Sequence, residues 1–183
     1  AAWADRHVRV VVLTGAGEKA FCTGGDVKQR AETGDYGPTE SGLFEIDALH
    51  RLIREIPKPV IAAVNGVAMG GGFEIALACD LRVAREGGGK LGLPEISLGV
   101  LPGTGGTQRL TRLVGKARAM ELLIEGETFS FARGKDLGLV HRLIEAPSAA
   151  EFLEEVIAYA ERFTAPTRSP LAIAWSSSCK GRC

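Results

Sequence analysis

Runs of mostly apolar, β-branched residues are the feature that most constrains how this chain can fold. Residues 8–14 form one such run and end at Gly15-Ala16-Gly17. Residues 59–67 form a second run with almost no polar side chain, and Gly70-Gly71-Gly72 follows it. A strand that is apolar along its whole length is buried on both faces, as in a parallel sheet covered by helices. The sequence therefore predicts an α/β fold.

Helical patterns alternate with these strands. Apolar residues at helical spacing predict a helix over residues 43–56, which ends at Pro57. The remaining predicted elements are a helix opening at 26–31, a loop at 34–42, a short apolar helix at 73–79, a strand at 81–84, helices at 108–114 and 117–124, a helix capped by Ser130, a strand at 139–144 and a helix at 148–163. Such alternation indicates a largely parallel sheet.

Charge and length exclude several classes of protein. The 183 residues include 22 Lys plus Arg and 22 Asp plus Glu, so no long-range field favours nucleic acid or an anionic membrane. No apolar run approaches the ~18–20 residues that span a bilayer. The first residues lack the basic and apolar regions of a signal peptide. Glycine, with 24 residues, is well above its usual ~7% share.

The cysteines and histidines do not form a metal-binding pattern. The four cysteines contain no CxxC pair, and three histidines are too few to complete a zinc set. Cys22 and Cys79 lie in apolar stretches and are predicted to be buried, reduced thiols, which favours a cytoplasmic location. His7 and His50 are predicted to lie on the surface.

The first glycine cluster imitates a dinucleotide-binding fingerprint. Gly15-x-Gly17-x-x-Ala20 follows a strand, and Asp35 lies 20 residues beyond Gly15. That fingerprint must open a helix, whereas Gly24-Gly25 interrupts any helix here. An ordinary turn is the favoured interpretation.

The other glycine clusters offer main-chain N–H groups. Gly70-Gly71-Gly72 opens an apolar helix, where N–H groups lack intrahelical partners and favour a negative oxygen. Close packing of helix on strand would explain the same glycines equally well. Gly24-Gly25 supplies a second set of N–H groups. If both sets converge on one carbonyl oxygen, they form an oxyanion hole.

Two carboxylates stand in apolar surroundings. Glu74 lies inside the apolar helix, and Glu95 follows Leu91-Gly92-Leu93-Pro94. Burying an acid is costly without a partner or a task. Two such groups can have pKa values far enough apart for one to act as acid and one as base. The alternative is that each faces solvent or pairs with Arg82 or Arg85.

Three long motifs resemble the crotonase (enoyl-CoA hydratase/isomerase) superfamily. They cover residues 19–26, 57–74 and 93–110, and the similarity extends from about residue 8 to about residue 174. The resemblance implies a ClpP/crotonase fold of stacked ββα units, apparently truncated at both ends. It also implies an acyl-CoA-binding core over residues 1–175, with an off-pattern tail at 176–183.

The resemblance implies an acyl-CoA thioester as substrate. The N–H groups of Gly25 and Gly71 match the oxyanion donors of the superfamily. Glu74 matches the residue that activates water to attack C3, and Glu95 matches the one that exchanges the proton at C2. The residues implied to contact coenzyme A are Cys22, Thr23, Gly24, Gly25, Asp26, Gly70 and Gly71.

The implied reaction is that of an enoyl-CoA hydratase, a carbon–oxygen lyase of fatty-acid metabolism. It needs no metal or redox cofactor, and members of the superfamily form homotrimers or hexamers. The loop at 34–37 also resembles dihydroxynaphthoyl-CoA synthases and ring-opening hydrolases. Two alternatives therefore stay open: another crotonase reaction, such as isomerisation or hydrolysis, and a non-catalytic acyl-CoA-binding module.

Overall fold

The computed structural model describes residues 2–25, 45–164 and 172–176. The strands are β1 (Val11–Gly15), β2 (Ala20–Cys22), β3 (Val60–Val64), β4 (Val67–Met69), β5 (Leu81–Arg85), β6 (Lys90–Gly92), β7 (Phe129–Ser130), β8 (Arg142–Ile144) and β9 (Ala172–Ser176). The helices are α1 (Glu45–Glu55), α2 (Gly71–Ala78), α3 (Gly106–Val114), α4 (Lys116–Glu125), α5 (Phe131–Asp136) and α6 (Ala149–Glu161), and Pro94–Leu98 is a 3-10 helix.

The strands form two sheets, and most consecutive strands of the chain lie in different sheets. The larger sheet has the order β8-β5-β3-β1-β9 and is parallel throughout. The smaller sheet has the order β2-β4-β6-β7, and its last pair is antiparallel. In each of the first three pairs, β1–β2, β3–β4 and β5–β6, the first strand lies in the larger sheet and the second in the smaller one, and a helix follows β2 and β4. The predicted α/β fold of stacked ββα units is confirmed.

Both faces of the larger sheet are buried, which explains its uninterrupted apolar strands. On the outer face, Val12 and Ile61 pack with Phe152 and Val156 of α6. On the inner face, alternate residues of the same strands join the main core with α2. Since side chains alternate across a strand, burial on two faces requires apolar residues at every position.

The run at 59–67, predicted as one strand, is divided between the two sheets. Asn65 and Gly66 separate β3 from β4. A Cβ on Gly66 would stand 2.4 Å from the Lys19 carbonyl oxygen, so the chain crosses between sheets where only glycine fits. Asn65 accepts a hydrogen bond from the Gly15 N–H at 3.1 Å and donates one to the Gly17 oxygen at 2.7 Å. It thereby holds the turn that leads from β1 into β2 rather than into a dinucleotide-binding helix.

Some of the other predicted elements are confirmed, and others lie outside the described residues. The predicted helices over 43–56 and 148–163 are confirmed as α1 and α6, and Ser130 caps α5. The helix predicted at 26–31, the loop at 34–42 and residues 177–183 of the tail lie outside the described residues, whereas Ser176 ends β9. Within the described ranges, no helix has the length and apolar character needed to cross a bilayer.

The predictions for the two cysteines and for His7 are confirmed, whereas the prediction for His50 is wrong. Cys22 and Cys79 are buried as predicted, and burial raises the pKa of the Cys79 thiol to about 12. His7 is exposed as predicted. His50 is not on the surface: it is only 3% exposed, because it lies on the face of α1 that packs against α2.

Candidate active site

The second and third glycine clusters come together beside the start of α2. A Cβ on Gly24 would stand 3.1 Å from the Gly71 nitrogen, and a Cβ on Gly71 would stand 3.5 Å from the Gly24 Cα. Side chains at these positions would separate the two backbones. The two glycine-rich segments therefore pack backbone against backbone, with Gly25 next in the chain and exposed.

The turn at Gly70 sets the geometry of the helix start. Gly70 has a φ of 53°, in the region that favours glycine, and its N–H donates to the Gly92 oxygen at 3.0 Å. Gly71 is the first residue of α2, so its N–H lacks an intrahelical acceptor. Gly72 lies against β2, since its Cβ would stand 1.9 Å from the Cys22 oxygen. Close packing and a free amide thus both account for the glycine triplet.

Glu74 is buried and receives three hydrogen bonds. It is 2% exposed. The N–H groups of Thr104 and Gly106 donate to its Oε1 at 3.0 and 2.7 Å, and the Thr104 hydroxyl donates to its Oε2 at 2.6 Å. Both oxygens of this carboxylate are therefore held in a fixed orientation by donors from the start of α3 and from Thr104, two residues before it.

Glu95 has the opposite surroundings. It lies in the 3-10 helix, and its Oε1 is 3.0 Å from where a Cβ on Gly70 would stand. Its Oε2 is buried without a hydrogen-bond partner in the described part of the chain. Burial is the largest influence on Glu95 and raises its pKa; its own main-chain N–H lowers the pKa by a smaller amount, and the charge of Glu74 raises it by the least of the three. Glu95 is therefore suited to hold a proton.

Neither predicted arginine pairs with a glutamate of this site. Arg82 is buried and donates to the carbonyl oxygens of Leu139, Ala76 and Cys79. Arg85 contacts Glu18 at the far end of β5. The alternative prediction that Glu74 or Glu95 pairs with Arg82 or Arg85 is wrong, because both guanidinium groups serve the main chain or another acid.

Three residues near Glu74 were not predicted from the sequence. Thr104 and Arg109 are linked, since the Arg109 guanidinium donates to the Thr104 carbonyl oxygen at 2.7 Å. His50 lies near the same helix: burial lowers its pKa, the charge of Arg109 lowers it further, and Glu74 acts in the opposite direction. Both His50 ring nitrogens lack a hydrogen-bond partner among the described residues. The signal in the sequence is that His50 lies four residues after Ile46 and three before Ile53, which puts it on the same side of the helix as these apolar residues.

The remaining predicted residues surround this site or lie beyond the described ranges. Cys22 is buried at the end of β2, Thr23 is exposed and Gly24 is half-buried. Asp26, predicted to contact coenzyme A, lies outside the described residues. Within residues 2–25, 45–164 and 172–176, no three His, Cys, Asp or Glu side chains gather as metal ligands.

Stacked strand–strand–helix units with glycine turns at the sheet edge define the crotonase class of proteins. The sequence profile of the family Enoyl-CoA hydratase/isomerase matches residues 2–177. The chain belongs to the enoyl-CoA hydratase/isomerase family.

Individual relatives agree with this family. The short-chain-enoyl-CoA hydratase of Clostridium acetobutylicum is 40% identical over 152 residues, which cover 83% of this chain and 58% of that protein. The (E)-benzylidenesuccinyl-CoA hydratase of Thauera aromatica is 41% identical over 172 residues, which cover 92% of this chain and 63% of that protein. A crystal structure of enoyl-CoA hydratase from Bacillus anthracis superposes with a TM-score of 0.76 at 43% identity, covering 88% of this chain and 60% of that one. The chain thus spans between about half and two thirds of the length of the proteins it matches.

Proposed function

We propose that this protein is an enoyl-CoA hydratase, which adds water across the 2,3 double bond of an enoyl-CoA thioester. The contrast between two neighbouring carboxyl groups carries the proposal. Glu74 has three hydrogen-bond donors, whereas Glu95 has a raised pKa and a buried oxygen without a donor. Environments that separate two carboxyl groups in this way assign one as base and the other as acid.

The thioester oxygen is the group that the glycine turns would hold. In the proposed complex, the N–H groups of Gly25 and Gly71 donate to this oxygen as negative charge develops on it. The close approach of Gly24 to Gly71 supports this placement. The start of α2 adds the favourable end of its dipole. Preorganised donors of this kind are often the largest single contribution to catalysis.

The two glutamates would divide the proton transfers of the hydration. Glu74 takes a proton from water, and the water oxygen forms a bond to C3. The electron pair of the double bond shifts toward C2 and the thioester, and Glu95 gives its proton to C2. The product is a 3-hydroxyacyl-CoA, with one water consumed and no net redox change. Glu74 then releases its proton to solvent and Glu95 takes one up, which restores both carboxyl groups for the next turnover. The proposed reaction accordingly uses no metal and no redox cofactor.

The substrate class follows from the family and the exposed glycine turn. Thr23 and Gly25 are exposed beside Gly71, where a coenzyme A chain can approach the main chain. Cys22, Gly24, Gly70 and Asp26 complete the proposed contacts. The Thauera aromatica relative is named for a benzylidenesuccinyl-CoA substrate, and the Clostridium acetobutylicum one for short-chain enoyl-CoA. An acyl-CoA thioester is the substrate class common to both names.

The test is the hydration of crotonyl-CoA, followed as the loss of absorbance of the conjugated thioester. Glu74→Gln and Glu95→Gln should each lower kcat by about 10²-fold or more, because each removes one general acid or base. Glu161→Gln, an exposed change on α6, is the matched control and should leave kcat unchanged. Mass analysis distinguishes hydration, which adds one water, from isomerisation, which adds none. Full activity in both active-site variants would refute the proposal.

We also propose a homotrimer, or a hexamer of two trimers, in the cytoplasm. Large apolar side chains exposed on the 3-10 helix, the loop after it and α4 support self-association, among them Leu98, Leu101 and Ile124. The two buried thiols, Cys22 and Cys79, suit a reducing compartment. Light scattering coupled to size-exclusion chromatography measures the mass; a monomer at all concentrations would contradict the assembly.

A further inference from the structure

The two oxygens of the Glu74 carboxylate have different kinds of donor. Oε1 accepts from two main-chain N–H groups, those of Thr104 at 3.0 Å and Gly106 at 2.7 Å. Oε2 accepts from one side chain, the Thr104 hydroxyl, at 2.6 Å. A carboxylate has about four acceptor positions, two on each oxygen. Oε1 is therefore filled, whereas Oε2 keeps one position open in the described part of the chain.

The open position makes Oε2 the oxygen that can take a proton. The Thr104 hydroxyl occupies its other position, and at 2.6 Å the contact is in the range of a charge-assisted O–H···O bond. A hydroxyl that donates to a carboxylate stabilises the charged form and fixes the direction of the remaining lone pair. Thr104 thus acts on the oxygen that reacts.

Thr104 is itself held by the start of α3. Its carbonyl oxygen accepts from the Arg109 guanidinium at 2.7 Å, one turn into the helix. Gly106, the first residue of α3, lies so close to Glu74 that a Cβ would stand 2.8 Å from Oε1. Glycine at this position lets the helix start approach the carboxylate, and the loop places the hydroxyl on the second oxygen.

We propose that Thr104 is a positioning residue for Glu74: the Thr104 hydroxyl directs Oε2 of Glu74 toward the reacting water. This inference rests on the proposed function, in which Glu74 is the general base. The main-chain donors act on Oε1 whatever side chain stands at position 104. The hydroxyl is therefore the part of the arrangement that a substitution can remove by itself.

The experiment compares Thr104→Val, which keeps the branched shape but has no hydroxyl, with Thr104→Ser, which keeps the hydroxyl. In Thr104→Val, kcat for crotonyl-CoA should fall about tenfold, as expected for losing one hydrogen bond to a charged group, while KM stays within about twofold. The acidic limb of its kcat–pH profile should move to higher pH, because the base loses a donor that stabilises its charged form. Thr104→Ser should keep both properties near those of the unmodified protein.

Thr111→Val is the matched control. Thr111 lies in α3, and its hydroxyl donates to the Thr107 carbonyl oxygen at 2.8 Å and not to Glu74. This variant should leave kcat and the pH profile unchanged. An unshifted profile in Thr104→Val would overturn the proposal, and so would equal losses in Thr104→Val and Thr104→Ser. Thr104→Ala replaces Thr104→Val in every comparison if circular dichroism shows that the latter is unfolded.

A spectroscopic measurement separates this inference from the proposed function. Carbon-13 NMR of protein labelled at the glutamate carboxyl carbons detects Glu74, whose resonance is assigned by its loss in Glu74→Gln. Removal of the hydroxyl should shift this resonance in Thr104→Val and leave it in place in Thr104→Ser. If the unmodified protein does not hydrate crotonyl-CoA, the proposed function fails, and the resonance alone tests the contact between Thr104 and Glu74. A shift in Thr104→Val but not in Thr104→Ser supports the contact, and no shift in Thr104→Val overturns it.

Discussion

Glu74 and Glu95 influence each other through space. The charge of Glu74 is one of the causes that raise the pKa of Glu95, after burial. Glu74→Gln removes that charge while keeping the shape of the side chain, so we expect the pKa of Glu95 to fall. Carbon-13 NMR titration of the Glu95 carboxyl measures it. Glu161→Gln, on the opposite side of the larger sheet, should leave the pKa where it is, and an unchanged value in Glu74→Gln would show that the two carboxyls are not coupled.

His50 should make the protein less stable in mild acid. Burial and Arg109 lower its pKa from 6.5, so the unfolded chain binds a proton on His50 more readily than the folded chain. The contribution of neutral His50 to the free energy of unfolding is then fully present above pH 6.5 and is lost as the pH falls toward the lowered pKa of the folded protein. His50→Leu should reduce the stability difference between pH 7 and pH 5, measured by urea denaturation.

Exposed His7 gives the control for this prediction. His7→Gln should keep the pH dependence of the unmodified protein. His141, whose pKa burial also lowers, contributes equally to all three proteins and cancels from the comparison. An unchanged pH dependence in His50→Leu would show that His50 titrates alike in the folded and unfolded chain.

Single residues were predictable from the sequence where their own neighbours in the chain revealed them. Glu74 stood out because an acid interrupts an apolar helix. Thr104 and Asn65 did not, because their partners Glu74 and Gly15 are 30 and 50 residues away. On α1, Leu52 is one of the apolar residues at helical spacing, yet it is 48% exposed, whereas His50 is 3% exposed. Helix α1 therefore presents a slightly rotated face to α2, which only the packing of both helices determines.

Elements were predicted best where one pattern lasts longer than a turn. Helices α1 and α6 have long apolar stripes, and strands β1 and β3 lie in apolar runs. The short strand β2 was missed, because its three residues show no period. The division of the 59–67 run was missed for another reason: apolar residues continue on both sides of the break, and only the crossing at Gly66 separates β3 from β4.

The contact between α2 and β2 should tolerate no side chain at Gly72. Its Cβ would stand 1.9 Å from the Cys22 oxygen, so α2 would have to move away from the sheet. Gly72→Ala should cost about 1–3 kcal/mol or more in the free energy of unfolding, as overpacked cores do. Gly103→Ala is the control, since its Cβ would meet no atom nearer than 3.8 Å, and it should change this free energy by less than ~0.5 kcal/mol. Urea denaturation measures both, and equal stability would contradict the packing.

The described residues form two apolar cores, one on each face of the larger sheet. Glu74 and α2 belong to the inner side, with Phe73 and Leu77. The outer core joins α6 to β1, β3 and β5 through Phe152 and Val156. Because the sheet lies between them, the outer core can supply stability without touching the candidate site.

This separation predicts that stability can be changed apart from catalysis. Val156 is 0% exposed, and Val156→Ala leaves a cavity under α6 that should cost about 1–3 kcal/mol in the free energy of unfolding. The acidic limb of the kcat–pH profile should stay in place, because Thr104 and Glu74 lie on the other face. Leu52→Ala truncates another branched side chain, on α1, but at 48% exposure it should cost less than Val156→Ala. Urea denaturation and the pH profile are measured on the same preparations. A shifted profile in Val156→Ala would mean that packing outside the sheet reaches Glu74 after all, and that the two cores act as one.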